Sequence, residues 1–250
     1  MNDTKPRFSE WATSFSGCDG GTPNARVWLC GIEWGGALDE KYYQTDLPNE
    51  ISNGSFHPET SYPWAESLTY PYGRSLAKLY AAIQGRNVST YRNLESYNGS
   101  EIFKLNLYPI AFHDTNDQLW HRYGLDTLTG FGDKRLYQTW CMLHRFRSFS
   151  EKLKEYSPDV IIGTGTTYLP QFFLCFGPHM DESARINVKY LSAGNTKEHG
   201  RARPLYWAQI TPKTILVVIP FFSGSNGLNS DALLQEAGDT IRRLCAGPTG

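Results

Sequence analysis

Several features that would place this chain in a membrane, a secreted framework or a repeat protein are missing. It has no uninterrupted apolar run of membrane-spanning length, and its N-terminal segment, MNDTKPRFSEWATSF, lacks the basic-then-apolar pattern of a signal peptide. Its five cysteines are odd in number and widely spaced, which favours reduced thiols over a disulfide framework or a Cys-x-x-Cys metal site. No repeat or low-complexity tract divides the chain. We therefore expect a cytosolic protein that forms a single domain over residues 1–250 and has no membrane partner.

The charges are nearly balanced, so no strong overall field attracts a polyanion. Lys and Arg total 24 against 25 Asp and Glu, which gives a net charge of −1. Any nucleic-acid site must therefore be a local patch. Two stretches offer one: a helical region with Lys134, Arg135, Arg145, Arg147, Lys152 and Lys154, and a loop with Lys197, Arg201 and Arg203. Each has an ordinary alternative, because charged side chains commonly do no more than solvate a surface.

Apolar segments with strand character alternate with segments of helical spacing. The predicted strands are Arg26–Ile32, Ile102–Leu107, Asp159–Gly163 and Thr214–Ile219, with a further candidate at Leu205–Ile210. The predicted helices are Ser75–Gln84, a long helix ending near Ser157 with Leu136, Trp140, Leu143, Phe146, Phe149 and Leu153 on one face, and Ser230–Leu244. This alternation predicts an α/β fold: a three-layer sandwich with a central, mainly parallel sheet.

Polar and glycine-rich segments follow the predicted strands. They are Glu33-Trp-Gly-Gly, Asn106-Leu-Tyr-Pro, Gly163-Thr-Gly and Pro220–Asn226. Each has a plain explanation by itself: a tight turn for the glycines, a cap or solvated acid for Glu33, a loop-capping amide for Asn106. Ligands of parallel sheets bind beyond the carboxyl ends of the strands, however, and the joint placement there favours a site.

Two of these segments resemble motifs of the uracil-DNA glycosylase superfamily. The segment GIEWG at 31–35 is similar to the water-activating loop written GQDPY, GINPG or GEAPG. The segment LNLYP at 105–109 is similar to the strand-end Asn motif, especially the N-x-x-P form of the single-strand-selective enzymes.

Three further segments extend the resemblance over residues 26–245. YPYGRSLAKLYAAI at 70–83 resembles the PFVGRAG-then-helix segment of the thermophilic enzymes, and PDVIIGTG at 158–165 resembles the third-strand segment. VIPFFSGSN at 218–226 stands where the family has HPSP or MPSS. The resemblance implies a glycosylase-like α/β fold and a monofunctional DNA N-glycosylase acting as a monomer.

The resemblance also implies roles for particular residues. Glu33 would orient or deprotonate the attacking water and stabilise the oxocarbenium-like sugar. Tyr72 would stack on a base flipped out of double-stranded DNA, and Asn106 would read its pairing edge. An Asn amide has both donors and an acceptor, so uracil-like and cytosine-like edges stay open. The base-binding set would be completed by Gly31, Ile32, Trp34 and Gly35.

Contacts to DNA are expected from the loop after the last predicted parallel strand. It comprises Pro220, Phe221, Phe222, Ser223, Gly224, Ser225 and Asn226. Its small residues would let the backbone approach phosphates, while Phe221, Phe222 or Leu228 fills the vacated stack. The basic residues Lys197, Arg201 and Arg203 would add phosphate contacts.

The sequence departs from the family pattern at two positions. Trp34 replaces the usual proline, and Ile219 replaces the histidine of HPS, so stabilisation of the leaving base by that histidine is missing. The four-cysteine set that holds an iron–sulfur cluster in the thermophilic branches is also missing, and we expect no metal and no cofactor.

The preferred substrate is a modified pyrimidine. A tyrosine blocks groups on C5 of the pyrimidine in the strict uracil enzymes, whereas Gly35 and Gly36 stand at the matching place here. The stretches Ser55–Tyr70 and Asn195–Arg203 supply donors and aromatics for a polar adduct, or are plain solvated loops. The chain thus resembles anti-phage glycosylases that remove glucosylated 5-hydroxymethylcytosine. Uracil or mismatched-thymine repair, a non-catalytic modified-DNA binder and a nucleoside hydrolase remain as alternatives.

Overall fold

The computed structural model describes residues 4–35, 40–58, 61–93, 97–112, 119–193 and 203–247. In this part of the chain, seven strands form one mixed sheet in the order β1-β3-β2-β4-β7-β6-β5. The strands are β1 Gly20–Gly21, β2 Val27–Gly31, β3 Ile102–Asn106, β4 Val160–Thr164, β5 Asn187–Leu191, β6 Arg203–Gln209 and β7 Ile215–Ile219.

The centre of the sheet is parallel, as the sequence predicts. The strands β3, β2, β4 and β7 pair in parallel, whereas β1, β6 and β5 add antiparallel edges. Every residue of the four central strands is buried, which explains why each is a short apolar run rather than an alternating one. The candidate strand near residue 205 is confirmed as β6, but it runs antiparallel to β7.

Helices cover both faces of the sheet. In the described residues they are α1 Thr4–Thr13, α2 Leu47–Asn53, α3 Trp64–Ser67, α4 Pro71–Ile83, α5 Leu119–Arg122, α6 Leu125–Thr129, α7 Lys134–Tyr156, α8 Leu169–Phe176 and α9 Asp231–Cys245. The helices α1, α7 and α8 share one apolar core with Trp28 and Phe103. The helices α4 and α9 share a second core with Leu29 and Val217. Successive strand residues therefore point into different cores.

The helix α7 has the predicted position but a different buried face. Leu136 and Leu143 are 54% and 66% exposed, so their expected place in the core is wrong. Lys134 and Arg145 are buried instead, which also removes both from the expected basic surface. The spacing of apolar residues predicts the wrong buried face because it assigns charged residues to the surface, whereas Lys134 and Arg145 have polar partners inside the protein.

The chain order creates a crevice between two central strands. After β2 the chain adds β3 on one side, and it then returns across β2 to place β4 on the other side. At such a switch point the connections leave in opposite directions and open a space beyond the carboxyl ends of the strands. The exits of β2 and β4, at Gly31 and Thr164, border this space.

Candidate functional site

Strand register places Gly31 directly beside Asn106. The two residues are Cα partners in the parallel pairing of β2 and β3, and Leu107 N donates to the Gly31 carbonyl at 3.0 Å. A Cβ on Gly31 would lie 2.3 Å from Asn106 Oδ1. Gly31 is therefore required for the amide to lie across the end of β2.

The Asn106 side chain is buried and held by two acceptors. Its Nδ2 donates to the Gly17 carbonyl at 2.8 Å and to Asp19 Oδ1 at 3.0 Å, and the residue is 2% exposed. The other carboxylate oxygen of Asp19 forms an ion pair with the Lys104 ammonium. Sequence reasoning missed Asp19 and Lys104. The available signal was a lysine inside an otherwise apolar predicted strand.

Tyr72 joins the same cluster from the first turn of α4. The Lys104 ammonium lies 4.7 Å from the centre of the Tyr72 ring, and the Phe222 ring lies 5.0 Å from it. The Tyr72 hydroxyl oxygen is 3.5 Å from Thr164 Oγ1. Asn106 and Tyr72, chosen from sequence, are thus brought into one group, which we call the amide cluster: Asp19, Tyr72, Lys104, Asn106 and Thr164.

Burial shapes the protonation of two members of the amide cluster. Burial raises the pKa of Tyr72, so the phenol is neutral. Burial also lowers the pKa of the Lys104 ammonium to about 7, whereas the Asp19 carboxylate in contact with it favours the charged form. The cluster therefore combines a cation held in an apolar setting with a neutral aromatic ring.

Glu33 belongs to a second buried group. Its Oε1 lies 3.0 Å from Lys134 Nζ, and the two side chains are 7% and 1% exposed. The Lys134 ammonium also lies 3.8 Å from the centre of the Phe112 ring. Glu33 is therefore neither a solvated loop acid nor a helix cap; Asp133 caps α7 by accepting from Leu136 N.

The role of Lys134 was also missed from sequence. It is the first residue of α7, where the helix dipole disfavours a cation, and Glu33 offsets that cost. A lysine at the first position of an otherwise amphipathic helix is the local signal. This pair lies with α7 and Phe112, whereas the amide cluster lies with α4 on the other face of the sheet.

The rest of the predicted base-binding segment has mixed exposure. Ile32 is buried in the core with α7, and Trp34 is 43% exposed while its carbonyl accepts from Phe112 N at 3.0 Å. Gly35 is exposed, and among the described residues a Cβ there would have only the Phe112 carbonyl oxygen within 4 Å, at 4.0 Å. Gly36 lies outside the described residues.

The loop after β7 presents one aromatic side chain to solvent. Phe221 is 40% exposed and lies so close to Gly165 that a Cβ there would approach its ring to 2.5 Å. Phe222 is 7% exposed against Tyr72, and Leu228 is fully buried, so of the three candidate wedges only Phe221 projects. Pro220 is buried, and Ser223, Gly224, Ser225 and Asn226 are exposed.

Arg203 braces this loop. Its Nε donates to the Gly227 carbonyl at 3.1 Å, and one terminal nitrogen donates to the Ser225 carbonyl at 2.8 Å. Its position is thus fixed next to the expected DNA-contacting loop. Lys197 and Arg201 lie outside the described residues.

Two aromatics of the expected polar insert, Tyr62 and Trp64, are packed inside the protein. Tyr62 and Trp64 are each 6% exposed, and the Trp64 ring stacks on Tyr97 with 4.7 Å between ring centres. Tyr70 is 59% exposed. Packing, the plain alternative, is therefore the role of Tyr62 and Trp64.

Comparison with protein-family models and with curated proteins finds no match to this chain. Among the described helices, none is long and apolar enough to span a membrane. A search of the described residues for three or more His, Cys, Asp or Glu side chains arranged around a common metal position also finds none. The fold and the site define an α/β protein with buried polar groups at the carboxyl ends of a central parallel sheet.

Proposed function

We propose that this protein is a DNA glycosylase of the uracil-DNA glycosylase type that excises a modified pyrimidine from double-stranded DNA. A 5-substituted cytosine, such as the glucosylated 5-hydroxymethylcytosine of phage DNA, is the preferred substrate. The observation that carries the proposal is the apposition of Gly31 and Asn106 at the carboxyl ends of β2 and β3, with Tyr72 in the same cluster. The four motif-bearing strands are also the four parallel strands of the sheet.

In this proposal Glu33 acts on the sugar and on water. Cleavage of an N-glycosidic bond passes through a cationic, oxocarbenium-like sugar, which a carboxylate stabilises while it orients or deprotonates the attacking water. The ion pair with Lys134 at 3.0 Å holds the carboxylate in one position. A fixed carboxylate needs little reorganisation when charge develops.

Base recognition falls to the amide cluster. The base is first flipped out of the stack, at a cost of about a few kcal/mol, and is then held by stacking and by hydrogen bonds to its pairing edge. Tyr72 supplies the aromatic surface and Asn106 the edge contact. Phe221, the exposed aromatic of the loop after β7, fills the vacated stack.

The exposed position of Gly35, which has no side chain, favours a base with a group on C5. A side chain at this position would meet no described atom closer than the Phe112 carbonyl oxygen at 4.0 Å. In this proposal the bulky substituent of the base lies on the side of Gly35. Defence against phage DNA is the biological role that such a substrate implies.

The proposal is tested with matched duplexes that contain uracil, mismatched thymine, 5-hydroxymethylcytosine or its glucosylated form. After incubation, alkali cleaves abasic sites and a denaturing gel counts them. We expect cleavage of the glucosylated strand by the native protein and at least about a hundredfold slower cleavage by Glu33→Gln. Glu151→Gln, an exposed glutamate on α7, is the matched control and should cleave at the native rate.

Other outcomes would redirect the assignment. Cleavage of the uracil or thymine strand alone would indicate repair. Tight binding of modified DNA without abasic sites would indicate a non-catalytic binder, and release of bases from free nucleosides alone would indicate a nucleoside hydrolase. Equal activity of Glu33→Gln and Glu151→Gln would remove Glu33 from the mechanism.

A further inference from the structure

The Asn106 amide has only one chemically allowed orientation. Both neighbours of Nδ2, the Gly17 carbonyl oxygen and Asp19 Oδ1, are acceptors. Exchanging the amide oxygen and nitrogen would place an acceptor against two acceptors, so the nitrogen must occupy this position. Both amide hydrogens are thereby used within the protein.

The Asn106 oxygen is left as the group that faces the strand ends. Oδ1 lies over Gly31 and accepts no hydrogen bond from any residue in the described ranges, although Asn106 is 2% exposed. In the described part of the chain this oxygen is not one of the fully buried atoms that lack a partner, so a bound ligand can reach it and supply a donor.

We propose that Asp19 and Lys104 are specificity-determining residues that fix Asn106 with its oxygen toward the base, so that the pocket selects pyrimidines with an amino group at C4. This inference rests on the proposed function and concerns the same site. In this proposal the C4 edge of the base faces Oδ1. The N4 amino group of a cytosine-type base then donates to Oδ1, whereas the O4 atom of a uracil-type base is itself an acceptor, and such a base could donate only from N3 in a shifted position.

The Asp19–Lys104 pair is the source of this orientation. Lys104 holds the carboxylate on one side, so Asp19 can offer only an acceptor to Asn106 on the other. If the Asp19–Lys104 pair only stabilised the fold, its loss would have a different effect on base preference. The pair also joins β1 to β3, where Gly20 is the register partner of Lys104, and loss of that joint would weaken action on every base equally.

The test compares 5-hydroxymethylcytosine with 5-hydroxymethyluracil, which differ in the C4 group and the N3 proton and carry the same C5 group. Each is placed opposite an abasic-site analogue, so that loss of pairing does not bias flipping. Single-turnover excision is measured on both duplexes. Dissociation constants are measured on duplexes with the 2′-fluoroarabino form of each nucleotide, which resists cleavage.

We expect the native protein to prefer the cytosine form by at least about tenfold, because the O4 atom of the uracil form would face the Asn106 oxygen with no hydrogen between them. Asp19→Asn should bring the ratio close to one, since an amide at residue 19 can offer Asn106 a donor and release its orientation. Asp159→Asn is the matched control, because it breaks an ion pair with Arg26 at the opposite ends of β4 and β2. Its ratio should equal that of the native protein.

Each outcome separates this inference from the proposed function. Excision of both bases at one rate by the native protein, or an equal loss on both bases in Asp19→Asn, overturns the specificity role and leaves a glycosylase. Tenfold tighter binding of the cytosine form that Asp19→Asn abolishes, without excision of either base, supports the inference and overturns the glycosylase. Native protein that neither binds nor excises either base overturns both.

Discussion

Among individual residues, Glu33 and Lys134 depend on each other most directly. Their side chains are 7% and 1% exposed and their charged atoms are 3.0 Å apart. Removing two charges from water is costly, and their mutual attraction offsets that cost only while both are present. A partner left alone would be an uncompensated buried charge.

We therefore expect Lys134→Met to lower the free energy of unfolding by about 3–5 kcal/mol, as does loss of one partner of a buried pair. The double variant Glu33→Gln with Lys134→Met should recover much of this loss, which a double-mutant cycle from urea denaturation measures. Arg147→Met is the matched control on α7. Its ion pair with Glu151 is exposed, and its loss should cost about 0.5 kcal/mol or less. If the losses of unfolding free energy in Glu33→Gln and Lys134→Met simply added up in the double variant, the two side chains would not be coupled.

At the level of elements, α7 holds the site together through Arg145. This fully buried guanidinium donates to the carbonyls of Asn106 at the end of β3 and of Leu107 after it. It also donates to the carbonyl of Ala12 in the last turn of α1 and to those of Ser14 and Ser16 after α1. Ser16 Oγ accepts as well, at 3.2 Å. Arg145 offers five N–H donors to these six acceptors, whereas a lysine ammonium would offer three.

Arg145→Lys should therefore destabilise the protein by more than about 3 kcal/mol, since several buried carbonyls lose their donor at once. Thermal or urea unfolding measures the change. Arg147→Lys, two residues further along α7 and exposed, should stay within about 0.5 kcal/mol of the native value. A small effect of Arg145→Lys would mean that these carbonyls are satisfied in another way.

For the molecule as a whole, buried thiols make stability depend on alkaline pH. Burial raises the pKa of Cys18 to about 11 and that of Cys141 to about 12, and it raises the pKa values of Cys30 and Cys175 further. In the unfolded chain these thiols ionise near their ordinary value of 9.0. Above that pH the unfolded state binds fewer protons than the folded state, so stability falls as pH rises. Lys104 acts in the opposite sense between about 7 and its ordinary value of 10.5, and so does Lys152, whose pKa burial also lowers, but these are two groups against four thiols.

The free energy of unfolding should therefore fall between pH 9 and pH 11, with a limiting slope of about 1.4 kcal/mol per pH unit for each thiol. Urea denaturation at four or five pH values under reducing conditions measures it. Cys141→Ala removes one titrating group and should make the decline shallower, whatever it does to stability at neutral pH. A flat or rising profile over this range would contradict the linkage.

Local sequence suffices to locate the four central strands and the two longest helices near their ends. Strands buried on both faces are short apolar runs, and the side chains of Asp133 and Ser230, residue types that N-caps favour, cap α7 and α9. The glycine and the amide at the strand ends, Gly31 and Asn106, could be chosen because a parallel sheet gathers its ligand site there.

The partners of the buried polar side chains are decided by three-dimensional packing and cannot be found from local sequence patterns. Lys134 follows Glu33 by 101 residues, and Asn106 follows Asp19 by 87, so no periodicity links either pair. The buried face of α7 is not the one that its apolar residues predict. Lys134 and Arg145 can be buried because a distant carboxylate and distant carbonyls accept their hydrogen bonds. The orientation of one amide, open to either base edge in the sequence, follows from two acceptors that only folding brings beside it.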